Sequence, residues 1–140
     1  MCPIRLICTG LLIAAGLANV AQAEVTITTP TNGAAVCARH QVAGRVSGPT
    51  TAAAMGKVWV VVHPKLTPDY WVQQSADVGE NGDWNQYPYF GEAGQHVGAP
   101  YEIKAFAAPS IALRVGQILA GWPPAAFQSA LVDNLVRRNC

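Results

Sequence analysis

The sequence predicts an all-β fold, an antiparallel β-sandwich, because short apolar and β-branched segments recur at intervals of about ten residues. Turn residues, mainly glycine, proline and asparagine, separate these segments, and little of the chain has the apolar spacing of a helix. Two distant cysteines, Cys37 and Cys140, could join an early strand to the final residue. Such a bond would fasten two neighbouring chain segments, which favours a sandwich over a barrel.

The first residues have the plan of a cleaved secretory signal peptide, predicted to cover residues 1–23. Arg5 supplies a positive head, an apolar run follows from Leu6 to Val20, and Ala21-Gln22-Ala23 offers the small residues that a signal peptidase requires. A membrane anchor is one alternative, but the apolar run is about 15 residues, whereas a bilayer span needs roughly 20. Lipid attachment at Cys8 is another, but Cys8 follows Ile7, where a lipoprotein signal has a small residue. We expect cleavage before Glu24, export to the periplasm or outside the cell, and no stable membrane insertion afterwards.

Residues 24–140 have the size of one domain, and no repeat or linker divides them. Without Arg5, lysine and arginine together equal aspartate and glutamate in number, and neither charge is clustered. Nucleic acids and anionic membranes attract basic patches, so we expect neither as a partner. The one basic doublet, Arg137-Arg138, is interpreted as a solvated strand terminus.

Cys37 and Cys140 are the cysteines that remain after the signal peptide, and an even pair in an exported protein predicts one disulfide. The bond would close a loop of about a hundred residues, for which the chain-entropy model gives roughly 4 to 5 kcal/mol. A metal site or a nucleophilic pair is the alternative, but no His or Cys lies at ligand spacing. We therefore expect no metal and no other cofactor.

The first half of the domain has the pattern of four strands. Val25 to Thr29 and Gln41 to Val46 alternate apolar and polar residues, as half-buried strands do. After a loop from Thr50 to Gly56, Val58 to Val62 is apolar throughout, which favours a central strand buried on both faces. Two prolines then form a loop, because proline donates no ladder hydrogen bond, and Tyr70 to Gln73 returns as the next strand.

The second half begins with a predicted hairpin. Asn81-Gly82 favours a tight turn between strands at Ala76 to Gly79 and Trp84 to Phe90. A glycine-rich loop, Gly91 to Pro100, follows this hairpin, and Tyr101 to Phe106 then alternates as a further strand.

A short helical segment is expected near Leu113 to Phe127. The apolar residues whose spacing suits a helix are Leu113, Ile118, Leu119 and Trp122. Pro123-Pro124 would stop this helix, and Ala130 to Val136 is β-branched enough to form a last strand.

Three motifs mark the ends and turns of the predicted strands. They are Val25-Thr26-Ile27-Thr28-Thr29-Pro30 with Asn32-Gly33, then Val42-Ala43-Gly44, then Asn81-Gly82-Asp83-Trp84. This order resembles that of small bacterial immunoglobulin-like modules of exported proteins, in which the motifs are Pro-x-x-Gly, Val-x-Gly and Asp-Gly-x-Trp. The resemblance implies an immunoglobulin-like β-sandwich used in adhesion, recognition or spacing, with no catalytic residues, although the predicted helix departs from the pattern.

Common catalytic motifs do not occur in the sequence, which has no Gly-x-Ser-x-Gly elbow, no His-Glu-x-x-His helix and no phosphate-binding or dinucleotide glycine motif. His63 and Asp69 flank the proline loop and could meet as a base and its orienting carboxylate, with Ser75 as the nucleophile. A histidine that ends a buried strand and an aspartate that serves a turn explain the same residues without catalysis. A small extracytoplasmic enzyme that uses His63 and Asp69 is therefore the alternative, and we expect a protein that is not an enzyme.

Aromatic residues concentrate in one region and give the leading hypothesis for a ligand-binding surface. They are Tyr70, Trp71, Trp84, Tyr87 and Tyr89. Sugars stack on such rings, and neighbouring amides could hold the hydroxyl groups, these being Gln73, Gln74, Asn85 and Gln86. At least one of Trp71 and Trp84 is expected in the core, as is Trp59, because sandwiches bury large aromatic residues between their sheets.

The sequence thus predicts a non-enzymatic recognition or structural module that binds a protein partner or a glycan of the cell envelope through its aromatic surface. A purely structural envelope protein is a further alternative. The exposure of Trp71 and Trp84 distinguishes these hypotheses.

Overall fold

A computed structural model describes residues 23–48 and 56–140 of the chain, which form two β-sheets. The strands of this part are, in order, β1 (Glu24–Thr29), β2 (Ala35–Val36), β3 (Val42–Ser47), β4 (Lys57–Pro64), β5 (Tyr70–Val72), β6 (Ala76–Asp77), β7 (Asp83–Gln86), β8 (Pro100–Pro109), β9 (Ile118–Leu119), β10 (Ala125–Gln128) and β11 (Val132–Arg137). Residues 1–22 of the predicted signal peptide, and most of the predicted loop from Thr50 to Gly56, lie outside the described residues. Within residues 23–48 and 56–140, no helix is long and apolar enough to cross a membrane.

The small sheet has the strand order β1-β3-β7, and the large sheet has the order β2-β11-β8-β4-β5-β9. Two short strands lie off this path, because β10 pairs with β8 and β6 pairs with β4. The pairings are antiparallel except that of β2 with β11, which is parallel. The prediction of an all-β fold with antiparallel sheets is therefore confirmed.

Strand β4 is the central strand that its apolar run predicts, with β8 on one side and β5 and β6 on the other. Side chains alternate between the two faces of a strand. Val58, Val60 and Val62 accordingly face the small sheet, where they join the larger core cluster. Trp59 and Val61 face the other way and join a second cluster. Both faces of this strand are thus covered, which explains why polar residues do not interrupt the run.

The larger core cluster, here called the inner core, contains residues of both sheets. Val25, Val42 and Trp84 come from the small sheet, whereas Tyr101 and Ile103 come from β8 of the large sheet. All five side chains are 2% exposed or less. Burial of apolar area is the main favourable contribution to folding, so this shared core holds the two sheets together.

The expected helical segment near Leu113 to Phe127 is wrong. The described chain has no helix there, and this stretch contains β9 and β10, which pair with β5 and β8. Gly116 has a φ of 80°, and the two prolines after Trp122 cannot donate helical hydrogen bonds, so the local backbone opposes a helix. The apolar side chains whose spacing suggested a helix cover the outer face of the large sheet, where Leu113, Leu119 and Trp122 pack in the second cluster.

The Asn81-Gly82 turn was predicted to join two paired strands of a hairpin, but the strands on either side of it, β6 and β7, do not pair with each other. Gly82 has a φ of 87°, as a tight turn requires, and the Gly79 N–H donates to the Asp83 carbonyl at 2.8 Å. However, β6 pairs with β4 in the large sheet, and β7 pairs with β3 in the small sheet. The turn therefore carries the chain from one sheet to the other.

The predicted disulfide between Cys37 and Cys140 is confirmed. The two Cα atoms lie 5.3 Å apart, and the bond spans 103 residues of sequence. Cys37 directly follows β2, and Cys140 lies three residues beyond β11. The bond therefore reinforces the parallel pairing of β2 with β11 at the edge of the large sheet.

Candidate functional site

A cleft of about 830 Å³ opens at one end of the inner face of the large sheet. Val62 of β4 and Tyr101 of β8 line it from the sheet, and both also belong to the inner core. Burial raises the pKa of the Tyr101 phenol, and the nearby Arg137 charge opposes that rise. Clefts of about 300 to 1,000 Å³ with mainly apolar walls are the usual binding sites of small ligands.

The first wall of the cleft is the loop of residues 65–69 together with β5. Leu66, Thr67 and Asp69 of this loop line the cleft, as does Trp71 of β5. The loop begins with a turn, in which both the N–H and the hydroxyl group of Thr67 donate to the Pro64 carbonyl at 3.0 Å. Leu66 is 82% exposed, so this wall presents a large apolar side chain to solvent.

His63 holds this first wall from the outer face of the sheet. Its Nε2 lies 2.8 Å from the Thr67 carbonyl oxygen, which only accepts, so Nε2 donates. Its Nδ1 lies 2.6 Å from Oε1 of Glu102, the residue opposite it on β8. Tyr70 stacks on the ring at 3.9 Å between centroids, and Trp122 meets it edge-on at 6.1 Å. These contacts fix the imidazole and, through Thr67, the loop.

The second wall is formed by Arg39, Tyr89 and the loop of residues 91–99. Buried Arg137 holds this loop, because its Nε donates to the Phe90 carbonyl at 2.9 Å and its Nη2 donates to the Glu92 carbonyl at 3.2 Å. A third bond runs from its Nη1 to the Arg138 carbonyl. Arg137 is 1% exposed, so the interpretation of the Arg137-Arg138 doublet as a solvated terminus is wrong for its first member.

Side-chain amides tie the two walls together. The Gln73 carbonyl oxygen accepts from the Tyr89 N–H at 2.9 Å, and its amide nitrogen donates to the Trp71 carbonyl at 3.5 Å. Gln86 similarly accepts from the Tyr87 N–H and donates to the Ser75 carbonyl, each at 2.9 Å. Both amides were candidates for binding ligand hydroxyl groups, but they are engaged within the protein.

The aromatic residues of the predicted surface divide into three groups. Trp71 is 38% exposed and Tyr89 is 59% exposed, and both line the cleft, while Tyr87 is 46% exposed beside them. Tyr70 lies on the outer face against His63 and Trp122. Trp84 is 2% exposed in the inner core. The structure therefore places two of the five residues on the cleft, and Tyr87 lies next to it in contact with the cleft residue Arg39.

The pair proposed for catalysis does not come together as the sequence suggested. The carboxylate that meets His63 is Glu102, whereas Asp69 lies on the first wall, where its N–H contacts the Thr67 hydroxyl oxygen at 3.3 Å. Ser75 contributes its backbone carbonyl to the bond from Gln86. Strand register makes Glu102 the partner, because β4 and β8 place these two residues opposite each other.

Charged side chains of both signs line the cleft. The carboxylates are those of Asp69 on the first wall and Glu92 on the second, and Arg39 carries the guanidinium. Within residues 23–48 and 56–140, none of the three takes part in an ion pair. In the same ranges, no group of three His, Cys, Asp or Glu side chains is arranged to hold a metal ion.

Fold and site together define, in residues 23–48 and 56–140, an all-β, disulfide-linked structure with an aromatic-rimmed cleft between two loops. The chain matches no family model, no curated protein and no solved structure. Function is therefore inferred from the chemistry of the cleft.

Proposed function

We propose that the protein is an exported, non-enzymatic recognition module of immunoglobulin-like type, and that the cleft binds a segment of a protein partner in the cell envelope. The observation that carries this proposal is the exposure of Trp71 and Tyr89 on one largely apolar cleft, where Arg39 contacts the rings of Tyr89 and the neighbouring exposed Tyr87. Tryptophan, tyrosine and arginine are the residue types that most often dominate the binding energy of protein interfaces.

The amides favour a protein segment over a glycan as the ligand. Recognition of a sugar needs polar side chains that are free to bind several hydroxyl groups. Gln73 and Gln86 are instead bonded to backbone groups of the same module. The other two candidates, Gln74 and Asn85, are exposed but do not line the cleft. The walls are also held from behind by His63 and Arg137, and a preformed cleft loses less conformational entropy when it binds.

The surroundings of His63 support a non-enzymatic function. A general base must offer a free ring nitrogen to the proton that it removes. In this protein, both ring nitrogens contact oxygen atoms of the chain itself, those of Glu102 and Thr67. The side chain of His63 is 11% exposed, and it does not line the cleft.

The disulfide and the N-terminal sequence support export. Disulfides form and persist in oxidising compartments such as the periplasm. Mass spectrometry of the protein purified from its native envelope should find an N-terminus at Glu24. A retained Met1 would contradict the signal-peptide part of the proposal.

Substitution at the rim of the cleft tests the binding function. Purified wild-type protein should capture a partner from solubilised envelope, and immobilised Trp71→Ala and Tyr89→Ala should bind the isolated partner at least about tenfold more weakly, as hot-spot truncations do. Ile111→Ala is the matched control, because Ile111 is 41% exposed but lies outside the cleft. Equal binding by all four proteins would reject the cleft as the binding site. If wild-type protein captured an envelope glycan and not a protein, and if Trp71→Ala and Tyr89→Ala lost that binding, the partner would be a glycan and the proposed protein partner would be wrong.

A further inference from the structure

Arg39 lines the cleft with its guanidinium held between aromatic rings. The guanidinium carbon lies 5.8 Å from the ring centre of Tyr87 and 5.6 Å from that of Tyr89. Its Nε–H donates to the Tyr87 carbonyl at 3.5 Å, and its backbone pairs with Tyr89 in an antiparallel bridge. Cation–π contacts of this kind are worth about 0.5 to 1 kcal/mol at exposed sites. Together these contacts restrict the orientation of the planar group, and among residues 23–48 and 56–140 its two terminal nitrogens have no hydrogen-bond partner.

Most other cations of residues 23–48 and 56–140 have partners of a different kind. Three of them form ion pairs with carboxylates of this same module, namely Arg45 with Asp83, Lys57 with Asp77 and Lys65 with Asp133. Each of the three nitrogens of Arg137 donates to a backbone carbonyl. Lys104 also lies over two rings, those of Phe106 and Trp122, but it is outside the cleft, as are Arg114 and Arg138. Arg39 combines a position in the cleft with a fixed plane and no carboxylate partner within residues 23–48 and 56–140.

We propose that the cleft recognises a peptide segment through a single carboxylate, which the two terminal nitrogens of Arg39 bind as a bidentate fork. Guanidinium and carboxylate groups match in plane and spacing, so such pairs are both directional and strong. The apolar side chain next to the carboxylate packs on Trp71 and Leu66 of the first wall. This inference rests on the proposed function, because it names the ligand chemistry of the same cleft.

Asp69 and Glu92 limit the number of negative charges that the ligand carries. Both carboxylates line the cleft, so a second carboxylate on the ligand would be repelled. They also provide acceptors for the N–H groups of a peptide backbone. The cleft therefore selects one carboxylate beside an apolar side chain, and it discriminates against a polyacidic segment.

Small probes test this chemistry without knowledge of the partner. N-acetyl-leucine carries one carboxylate beside an apolar side chain, and N-acetyl-leucinamide has the same shape without the charge. Each is titrated into the ¹⁵N-labelled full-length mature protein at millimolar concentration, while NMR follows the Trp71 indole N–H and the Arg39 Nε–H. We expect the carboxylate to bind about tenfold more tightly than the amide, since a charge-assisted bidentate pair is lost.

Variants and further probes identify the group responsible and the source of the carboxylate. Arg39→Gln should abolish the preference for the carboxylate, and Arg39→Lys should bind it at least about threefold more weakly than wild type because lysine lacks the fork. Arg114→Gln, at an exposed arginine outside the cleft, should bind like wild type. Unchanged resonances of the inner core verify that each variant is folded. An N-acetyl-glutamyl-leucinamide probe distinguishes recognition of a side-chain carboxylate from that of a chain terminus.

Two outcomes separate this inference from the proposed function. If acid and amide shift the Trp71 indole equally, the cleft binds peptides but the role of Arg39 is wrong. If neither probe shifts it, and the partner binds Trp71→Ala normally, both proposals fail. Tighter binding of glucuronic acid than of N-acetyl-leucine would overturn the peptide assignment in favour of an acidic sugar.

Discussion

At the scale of single residues, two buried polar side chains set the shape of the cleft. His63 and Arg137 each bond to carbonyl oxygens of one wall, and neither side chain lines the cleft itself. A buried charge is costly unless it is hydrogen-bonded, and each of the three nitrogens of Arg137 donates to a backbone carbonyl. These residues are therefore positioning groups, whose loss should be seen first in stability.

Replacement of Arg137 by methionine tests this role. The carbonyl of buried Phe90 and that of exposed Glu92 would lose their partner, and an unsatisfied buried acceptor, as at Phe90, costs about 1 to 3 kcal/mol. We expect the free energy of unfolding in urea to fall by roughly 2 to 4 kcal/mol. Arg138→Met, at an exposed neighbour, should change it by less than about 0.5 kcal/mol. Similar values for the two variants would show that the buried guanidinium does not hold the loop.

The ion pair between Lys65 and Asp133 predicts a pH dependence of stability. The bond from Lys65 and the N–H of Asn134 hold the pKa of Asp133 below its ordinary 3.8, and Asp133 in turn raises the pKa of Lys65. The contribution of Asp133 to stability is thus fully present above pH 3.8, and it is lost as the pH falls through the lower folded value. The contribution of Lys65 to stability is fully present below pH 10.5, and it is lost as the pH rises through the raised pKa of Lys65 in the folded protein.

Thermal unfolding measured from pH 2 to 6 tests this prediction. Asp133→Asn should flatten the decrease in Tm below pH 3.8. Lys65→Met should remove most of this decrease but leave a part, because the Asn134 N–H still bonds to the Asp133 carboxylate. The double variant should resemble Asp133→Asn, since the two residues act as one pair. An acid profile of Asp133→Asn identical to that of wild type would contradict the assignment.

At the scale of elements, close strand packing in the small sheet explains a glycine. Gly44 lies in β3, between β1 and β7, where the small sheet meets the inner core. A methyl group on it would overlap the Thr26 carbonyl and would lie 2.7 Å from Cζ2 of the buried Trp84 ring. The Val-x-Gly motif therefore has a packing reason, because only glycine lets the Trp84 ring lie against this backbone.

Gly44→Ala should consequently destabilise the domain severely. Backbone overlap cannot be relieved by a rotamer change, so we expect a loss of roughly 3 kcal/mol or more, or failure to fold. Gly121→Ala is the matched control, since a methyl group there meets no atom within 4 Å. Urea denaturation and soluble yield distinguish the two variants. A stable Gly44→Ala protein would show that β1 and Trp84 move apart easily.

At the scale of the whole molecule, the disulfide and the two walls form one connected unit. The Cys37 to Cys140 bond fixes the end of β11, and Arg137 on β11 reaches from there to the loop of the second wall. The backbone supports the same link, because the Gly98 N–H donates to the Arg137 carbonyl at 2.6 Å. The C-terminal end of β11 is thus both fixed by the disulfide and bonded to the loop of the second wall.

Removal of this disulfide should lower the stability of the whole domain. The bond closes a span of 103 residues, so the double variant Cys37→Ser with Cys140→Ser should lose roughly 3 to 5 kcal/mol in urea unfolding. Reduction of the wild-type protein should give the same loss, which controls for the serine side chains. A free-thiol assay on the unreduced mature protein should detect no reactive cysteine. Two reactive thiols, or equal unfolding midpoints, would contradict this prediction.

Local patterns in the sequence determined most of the longer strands, the central position of β4 and the pairing of Cys37 with Cys140, because β-branched runs, turn residues and cysteine number are local or compositional signals. The short strands β2, β9 and β10 were not predicted. Tertiary structure alone decided which aromatic residues are exposed, since Trp71 lies beside Val62 at the cleft, whereas Trp84 lies in the inner core that both sheets cover. It also decided the partner of His63, 39 residues away, and that of Arg137, 47 residues away. Strand register and loop packing bring residues that are this far apart in sequence into contact. A local sequence pattern encodes neither the register nor the loop packing. The predicted helix failed for the same reason, because its apolar side chains were needed to cover a sheet face that only the complete fold creates.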